Sequence, residues 1–481
     1  MPSSPAVIGV DSSTQSTKAV VVDAASGRVL ATGRAAHTVT GTAGARESDP
    51  EQWWRALAEA LARALAGLDA RAVTGIAVAG QQHGLVALDA SGRPLRPALL
   101  WNDTRSAPQA AALTAQLGAE GWLARTGSVP VASMTAAKWR WLCEQEPRTA
   151  RAAAAVRLPH DFLTERLSGT AATDPGDASG TCWYSPATGA YDSGLLDLLE
   201  LDAALLPAVA PTGATRAGSL TAAAARELGL PEGIAVAAGT GDNMAAAVGL
   251  GLGGQGLLDH PVVSLGTSGT VFAATRTRPA TAALAGFAAT DGAGVHLPLG
   301  CTLNCTLAVD KVAALLGLDR EDAVPGGEAV LLPYLDGERT PDLPHASGLL
   351  TGLRHATTRQ QLLGAAYEGA VFTVLRALDA LPRTGEDVPL RLIGGGARGR
   401  TWVETVRRLS GRPVVLPRAT ELVALGAAAL AAGAATGADP VAVATDWGGG
   451  TGETLPPLAR DRAAWDRIAA ALPAAGALGR P

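Results

Sequence analysis

Two carboxylates and two hydroxyl-rich turns are the residues of this chain best suited to chemistry on a phosphate. The first turn, Asp11-Ser12-Ser13-Thr14-Gln15-Ser16-Thr17-Lys18, is entered from the apolar run 6–10 and left through 19–23. The second, Ser264-Leu265-Gly266-Thr267-Ser268-Gly269-Thr270, lies between Val262-Val263 and the apolar run 271–274. Small and hydroxylated residues at a strand-to-strand turn let backbone N–H groups converge on an anion, and the hydroxyls add donors. Alone, either turn is as readily an ordinary polar hairpin. Two of them, about half a chain apart, point to a duplicated domain clamping a nucleotide's phosphate chain from both sides, the geometry of a phosphotransferase. No G-x-x-x-x-G-K occurs, so a Walker P-loop is excluded.

Asp11 ends an apolar strand, where a carboxylate without a partner is expensive. A hydrated Mg²⁺, which takes one or two carboxylates, would be such a partner. An Asp that merely accepts turn N–H bonds is the alternative. Lys18 brings positive charge to the same turn, and whether it reaches a phosphate stays open. Asp242 follows the apolar run 234–238 and precedes the Ala-rich run 244–248, a place where a helix start favours negative charge. A plain N-cap is the alternative there. Gln81-Gln82-His83-Gly84 follow the run 72–79, which puts polar side chains at the C-terminal edge of a sheet, where α/β proteins bind ligands. Trp101, Asn102, Asp103 and Arg105 offer an aromatic face with polar neighbours that suits a sugar, although Asp103 and Arg105 could equally form a structural ion pair.

The elements that must hold these residues can be read from periodicity. Strands are predicted at 6–10, 19–23 and 29–33, with a hairpin turn at Ala25-Ser26-Gly27. A helix starts at Asp49 as N-cap with Pro50 at its first position, and Trp53, Leu57, Leu61 and Leu65 form its apolar stripe. A buried strand at 72–79 and a helix-rich stretch at 107–169 follow. The second half repeats the plan: strands at 262–264, 270–274 and 294–299, a helix at 304–316 and a strand at 329–334. Beyond these come a helix at 358–381, a strand at 390–393, a helix at 401–410, a strand at 413–416 and a helix at 421–432. Hairpin strands followed by helix and strand indicate an α/β fold. The junction is expected at 245–254, where Gly-Leu-Gly-Leu-Gly-Gly could hinge, with domains 1–244 and 245–481.

Composition narrows the classes. The 481 residues are 47% hydrophobic and 17% charged with a net charge of −5, an ordinary globular balance. Only three lysines occur, at positions 18, 138 and 311, and no basic stripe forms, so no nucleic-acid partner is expected. The four cysteines lack the spacing of a zinc site and read as buried thiols. The opening Met1-Pro2-Ser3-Ser4-Pro5 has no charged start, and the Ala-rich stretch near 430–443 is broken by Gly, Asp and Pro. No membrane association and a cytoplasmic location are therefore the expectation. Oligomeric state stays open, with a homodimer among the options.

One motif points elsewhere. Gly394-Gly395-Gly396-Ala397-Arg398-Gly399 formally matches G-x-G-x-x-G, and Arg418 could even suggest an NADP-linked dehydrogenase. That fingerprint belongs to an early βαβ unit whose second strand ends in an acid, which is not the context here.

Taken together the motifs resemble the FGGY carbohydrate kinases of the sugar kinase/actin/heat-shock chaperone superfamily, within it the branch acting on D-xylulose. The matching pieces are Asp11 to Lys18, Gly80-Gln-Gln-His-Gly84, Leu100-Trp-Asn-Asp-Thr-Arg105, Gly241-Asp-Asn243, Ser264 to Gly269, Tyr334-Leu-Asp-Gly-Glu-Arg-Thr-Pro341 and Gly394-Gly-Gly-Ala-Arg398. They run in family order along nearly the whole chain. The resemblance implies two duplicated ribonuclease H-like (actin-like ATPase) domains with ATP and Mg²⁺ bound in an interdomain cleft. It implies that Asp242 is the catalytic base and that Asp11 serves the metal. It also implies phosphate binding by Ser12, Ser13, Thr14, Lys18, Gly266, Thr267 and Thr270, with adenosine near Gly395, Gly396 and Ala397. Gln82, His83, Trp101, Asp242 and Asn243 become the sugar site. Some D-xylulose kinases carry Met at the place of Gln82. By the same resemblance Gln81-Gln82-His83 and Trp101-Asn102-Asp103 favour D-xylulose over glycerol, whose kinases are similar in carrying an Arg-Glu pair at the first of these places. Ribulose, gluconate and polyol kinases of the same family remain alternatives, and a non-catalytic nucleotide or sugar sensor is a further one.

Overall fold

The opening apolar run forms the strand Ala6–Ser12, which pairs antiparallel with Ser16–Asp23, itself antiparallel to Val29–Ala36. This computed structural model describes residues 4–478 apart from 280, 293, 342, 344, 383, 384 and 386. Side chains alternate along the first strand. Ile8 and Val10 join one apolar cluster with Trp53, Leu57 and Leu61, while Val7 joins another with Val20, Val22, Ala427 and Leu430. The first cluster is closed by the helix Pro50–Leu65, capped by Asp49, whose side chain accepts from Glu51 N, with Pro50 at its first position. Full burial of each large side chain such as Leu57 contributes about 2 kcal/mol.

The opposite face of this sheet carries the helix Leu422–Thr436, made almost wholly of Ala, Gly and Leu. Its backbone rests directly on the sheet: a Cβ at Gly9 would sit 1.8 Å from the Ala424 carbonyl oxygen. By contacts the chain divides into two units, each discontinuous in sequence. Met1–Leu258, Ala274–Leu297 and Ala419–Gly450 form the first, and Asp259–Ala273, Pro298–Arg418 and Thr451–Pro481 the second. The boundary expected between residues 244 and 245, and the start of the hinge expected at 245–254, fall inside the continuous helix Asp242–Gly249. Its small residues serve close packing rather than bending. A Cβ at Gly426 would meet the Ala245 carbonyl oxygen at 1.8 Å, and one at Gly249 the Leu422 carbonyl oxygen at 2.3 Å.

In the first unit the sheet continues from Ala6–Ser12 to the parallel strands Val73–Gly80 and Ala235–Ala237, and ends at antiparallel Arg216–Ser219. In the second unit Val262–Leu265 pairs antiparallel with Gly269–Phe272, which pairs antiparallel with His296–Thr302. On its other side Val262–Leu265 is followed by parallel Leu390–Ile393, parallel Val414–Pro417 and antiparallel Gly452–Leu455. The two sheets thus share the pairing order antiparallel, antiparallel, parallel, parallel, antiparallel over six consecutive strands each. The duplication expected from element order is present in strand topology.

Boundaries shift modestly from those predicted. The strand expected at 294–299 is His296–Thr302, and the helix expected at 304–316 begins at Thr306. The helix expected at 358–381 is Arg359–Leu378, with Thr358 and Gln361 in a reciprocal capping box. No single helix among the described residues is long and apolar enough to cross a membrane.

Candidate active site

Strand register assembles the polar residues of the first unit. Gly80 pairs with Ser12 on one side and with Gly241 on the other, so three neighbouring strands end at one level. The residues that follow, Ser13-Thr14, Gln81-Gln82-His83 and Asp242-Asn243, therefore share one sheet edge. Ser12 is built into the sheet, its hydroxyl 3.2 Å from that of Thr17. Ser13 donates its hydroxyl to Asp11 Oδ1 at 2.6 Å, and Trp101 Nε1 donates to Thr14 Oγ1 at 3.0 Å. Among the described residues the N–H groups of Thr14 and Gln15 find no hydrogen-bond partner, as an anion cradle requires. Lys18 is ion-paired with Glu421.

Asp242 opens its helix half-buried, and its Oδ1 accepts from Asn243 N at 2.7 Å and Asn243 Nδ2 at 2.9 Å. Asp242 Oδ2 has no partner among the described residues. Burial, reinforced by the Asp11 and Asp177 carboxylates, pushes the Asp242 carboxyl up to about 7. Asn243 Nδ2 also donates to Gln82 Oε1 at 2.9 Å. His83, at φ 64°, shares a hydrogen bond of 3.0 Å through Nδ1 with Gly180 O and packs on Phe287 with ring centroids 5.4 Å apart. Asp103 and Arg105 do form a structural ion pair, continued by Arg105 to Glu47 and over the Trp141 ring.

Asp11 is raised from 3.8 by burial, which the Ser13 hydrogen bond and the Lys18 charge offset only in part. Asp11 lies near enough to Asp242 to oppose its ionisation, and such a pair suits a cation that takes one or two carboxylates and keeps its waters, as Mg²⁺ does.

The second unit presents its own edge. The turn 266–268 joins Leu265 to Gly269, and the N–H groups of Thr267 and Ser268 find no partner among the described residues. Gly266 O is held by Thr306 N at 3.1 Å and Thr306 Oγ1 at 2.8 Å. Thr270 lies within the strand opposite Ser264. The glycine loop follows the adjacent strand: Gly394 has φ 86°, and a Cβ there would lie 2.7 Å from Leu265 O. Gly396 packs on the Leu265 side chain, whereas Gly395 has open space beside it. The glycine loop and the turn 266–268 are thus neighbours, and the loop opens as a short 3₁₀ turn, Gly395–Arg398. Glu338, buried, accepts from Leu303 N at 2.5 Å, Arg339 N at 2.7 Å, Asn304 Nδ2 at 3.1 Å and Asn304 N at 3.2 Å. It thereby fixes the approach to Thr306.

Residues 6–249 match the N-terminal domain of the FGGY family of carbohydrate kinases, and residues 262–435 match the C-terminal domain. The chain belongs to the FGGY carbohydrate kinases. It is 59% identical over 475 residues to the xylulose kinase of Streptomyces coelicolor, covering 97% of this chain and 96% of that one. Among solved structures, a kinase of Brucella ovis described as a xyloylose kinase superposes with a TM-score of 0.89 at 32% identity, covering 98% and 99% of the two chains. The xylulose kinase of Bifidobacterium adolescentis gives 0.81 at 34% identity, again over 98% and 99%.

One feature of this FGGY kinase escaped the sequence. Behind Asp242 lies a buried group of His160, Asp161, Asp174 and Asp177. Asp174 binds Thr240 Oγ1 at 2.7 Å and Gly176 N at 2.9 Å. The signal was present in Pro159-His160-Asp161 and Asp174-Pro175-Gly176-Asp177, but acids beside Pro and Gly read as turn and cap residues. Only the fold reveals that they converge.

Proposed function

We propose that this chain transfers the γ-phosphoryl group of ATP to the terminal hydroxyl of D-xylulose, giving D-xylulose 5-phosphate and ADP. The observation that carries the reading is Asp242: one oxygen fixed by Asn243, the other unpartnered, and a carboxyl poised near neutral pH. A general base works best when its pKa lies near the working pH. In the reaction Asp242 Oδ2 accepts the sugar hydroxyl proton as the sugar oxygen forms its bond to the γ-phosphorus and the bond from that phosphorus to ADP breaks. Gln82, His83, Trp101 and Asn243 bind the sugar. The unpartnered N–H groups at 14–15 and 267–268 bind phosphate oxygens, and the open side of Gly395 receives the adenosine. Asp11, held by the Ser13 hydroxyl, would hold a Mg²⁺, which when bound would neutralise charge on the phosphates, and Trp101 steadies the turn that carries Ser13 and Thr14.

D-Xylulose as acceptor is supported by the names of the relatives above and by the amide–imidazole–indole set at 82, 83 and 101. The test is coupled ADP release with D-xylulose, L-ribulose, D-gluconate and glycerol, beside an NADPH-oxidation control. D-Xylulose should give the highest kcat/KM. A clear preference for L-ribulose or D-gluconate would overturn the sugar while leaving the kinase in place.

A further inference from the structure

Asp11 and Lys18 face each other directly across the first hairpin, and Arg34 lies opposite Lys18 on the next strand. Directly opposed residues of an antiparallel pair share a face, with Cβ atoms about 5 Å apart. A lysine in that place is long enough to neutralise the aspartate. Among the described residues, however, no ion pair joins them: the Lys18 ammonium goes to Glu421. Arg34 is turned away as well, its Nε donating to Ser16 Oγ at 3.1 Å.

The fold explains this choice. Asp11 continues the alternation of Val7, and Lys18 that of Val20 and Val22, so both lie on the sheet face that carries the helix Leu422–Thr436. Glu421 is the N-cap residue of that helix, and its side chain makes no cap hydrogen bond. A helix N-terminus favours negative charge, which keeps the Glu421 carboxylate ionised and available to Lys18. Two carboxylates thus compete for one ammonium, and Glu421 holds it. Asp11 Oδ1 takes the Ser13 hydroxyl at 2.6 Å, and Asp11 Oδ2 has no partner among the described residues. The unmatched negative charge is left on Asp11.

We propose that Glu421 is a positioning residue of the cation site: it draws the Lys18 ammonium off Asp11 and so leaves the Asp11 carboxylate open to a divalent cation. The inference rests on the reading of Asp11 as the residue that holds Mg²⁺. Glu421→Gln keeps the shape but removes the charge that holds Lys18. In a crystal structure of the metal-free variant the Lys18 ammonium should have moved onto the Asp11 carboxylate. Calorimetric titration with ADP, in excess Mg²⁺ and again in EDTA, reads how much the cation strengthens nucleotide binding. That enhancement should fall about fivefold in Glu421→Gln, the size of one partly exposed ion pair. In a Lys18→Met background the same substitution should change it by less than about twofold, because no ammonium remains to compete. Glu421→Asp, which keeps the charge, should stay within about twofold of wild type. A Lys18 side chain that stays off Asp11 in Glu421→Gln, an equal fall with and without Lys18, or no fall at all overturns the proposal.

If Glu421→Gln does not fold, Glu421→Ser carries the same measurements, since a hydroxyl suits the N-cap position. Asp11→Asn should abolish the Mg²⁺ enhancement altogether. An Asp11→Asn chain that keeps it would sink the metal reading of Asp11, and the proposal with it, whereas its loss there beside an unchanged Glu421→Gln overturns the proposal alone.

Discussion

Replacing Asp242 by Asn should make the protein more stable, and only away from acid pH. The folded environment raises the Asp242 carboxyl from 3.8 to about 7, because burial and then Asp11 and Asp177 oppose its ionisation. The folded state therefore holds this proton more tightly than the unfolded chain, and stability falls as pH rises from about 4 to about 7. The shift is about 3 units, and at 1.36 kcal/mol per unit the ionised side chain costs about 4 kcal/mol above pH 7. Asn keeps the shape, and its Oδ1 still accepts the bonds that Asn243 makes at 2.7 and 2.9 Å. The substitution thus removes a charge without orphaning a donor. Urea unfolding at pH 8 should show Asp242→Asn more stable than wild type by about 2–4 kcal/mol, shrinking to within about 0.5 kcal/mol at pH 4. A variant equal to or weaker than wild type at pH 8, or a gain that grows toward pH 4, would refute the buried-charge reasoning.

Further outcomes follow from the second unit. Gly395→Ala has open space around it and should leave folding within about 0.5 kcal/mol of wild type while raising KM for ATP; an unchanged ATP KM would remove adenosine from this loop. Gly394→Ala, at φ 86° and 2.7 Å from Leu265 O, should instead destabilise by about 1–3 kcal/mol in denaturant unfolding. Glu338→Gln places an NH₂ where backbone N–H groups now converge and should cost about 1–3 kcal/mol, and a change below about 0.5 kcal/mol would show the cluster to be dispensable.

The parts of the fold legible in sequence are those whose signal is local. The opening hairpins show as alternating apolar residues, and the first helix shows its cap in Asp49-Pro50 and its stripe in Trp53, Leu57 and Leu61. The two hydroxyl-rich turns and the place of Asp242 were readable for the same reason. The helix Leu422–Thr436 was legible as a helix but not as part of the first unit. Its Ala-rich surface has no apolar stripe to mark a buried face, and its docking depends on glycines far away in sequence, such as Gly9. The same small-residue logic made the contact between Asp242–Gly249 and Leu422–Thr436 read as a hinge. The buried His160 group stayed hidden because each acid alone has a sufficient local explanation as a cap: Asp174 does accept from Gly176 N and Asp177 N.

The rate of phosphoryl transfer to D-xylulose by Asp242→Asn tests the proposed chemistry most directly. Rapid-quench measurement of D-xylulose 5-phosphate at saturating Mg·ATP and sugar, with equilibrium binding of both substrates as control, supplies it. Asp242 as general base predicts a loss of about 10²–10⁴ in rate with both substrates still bound. A near-normal rate with intact binding would contradict it.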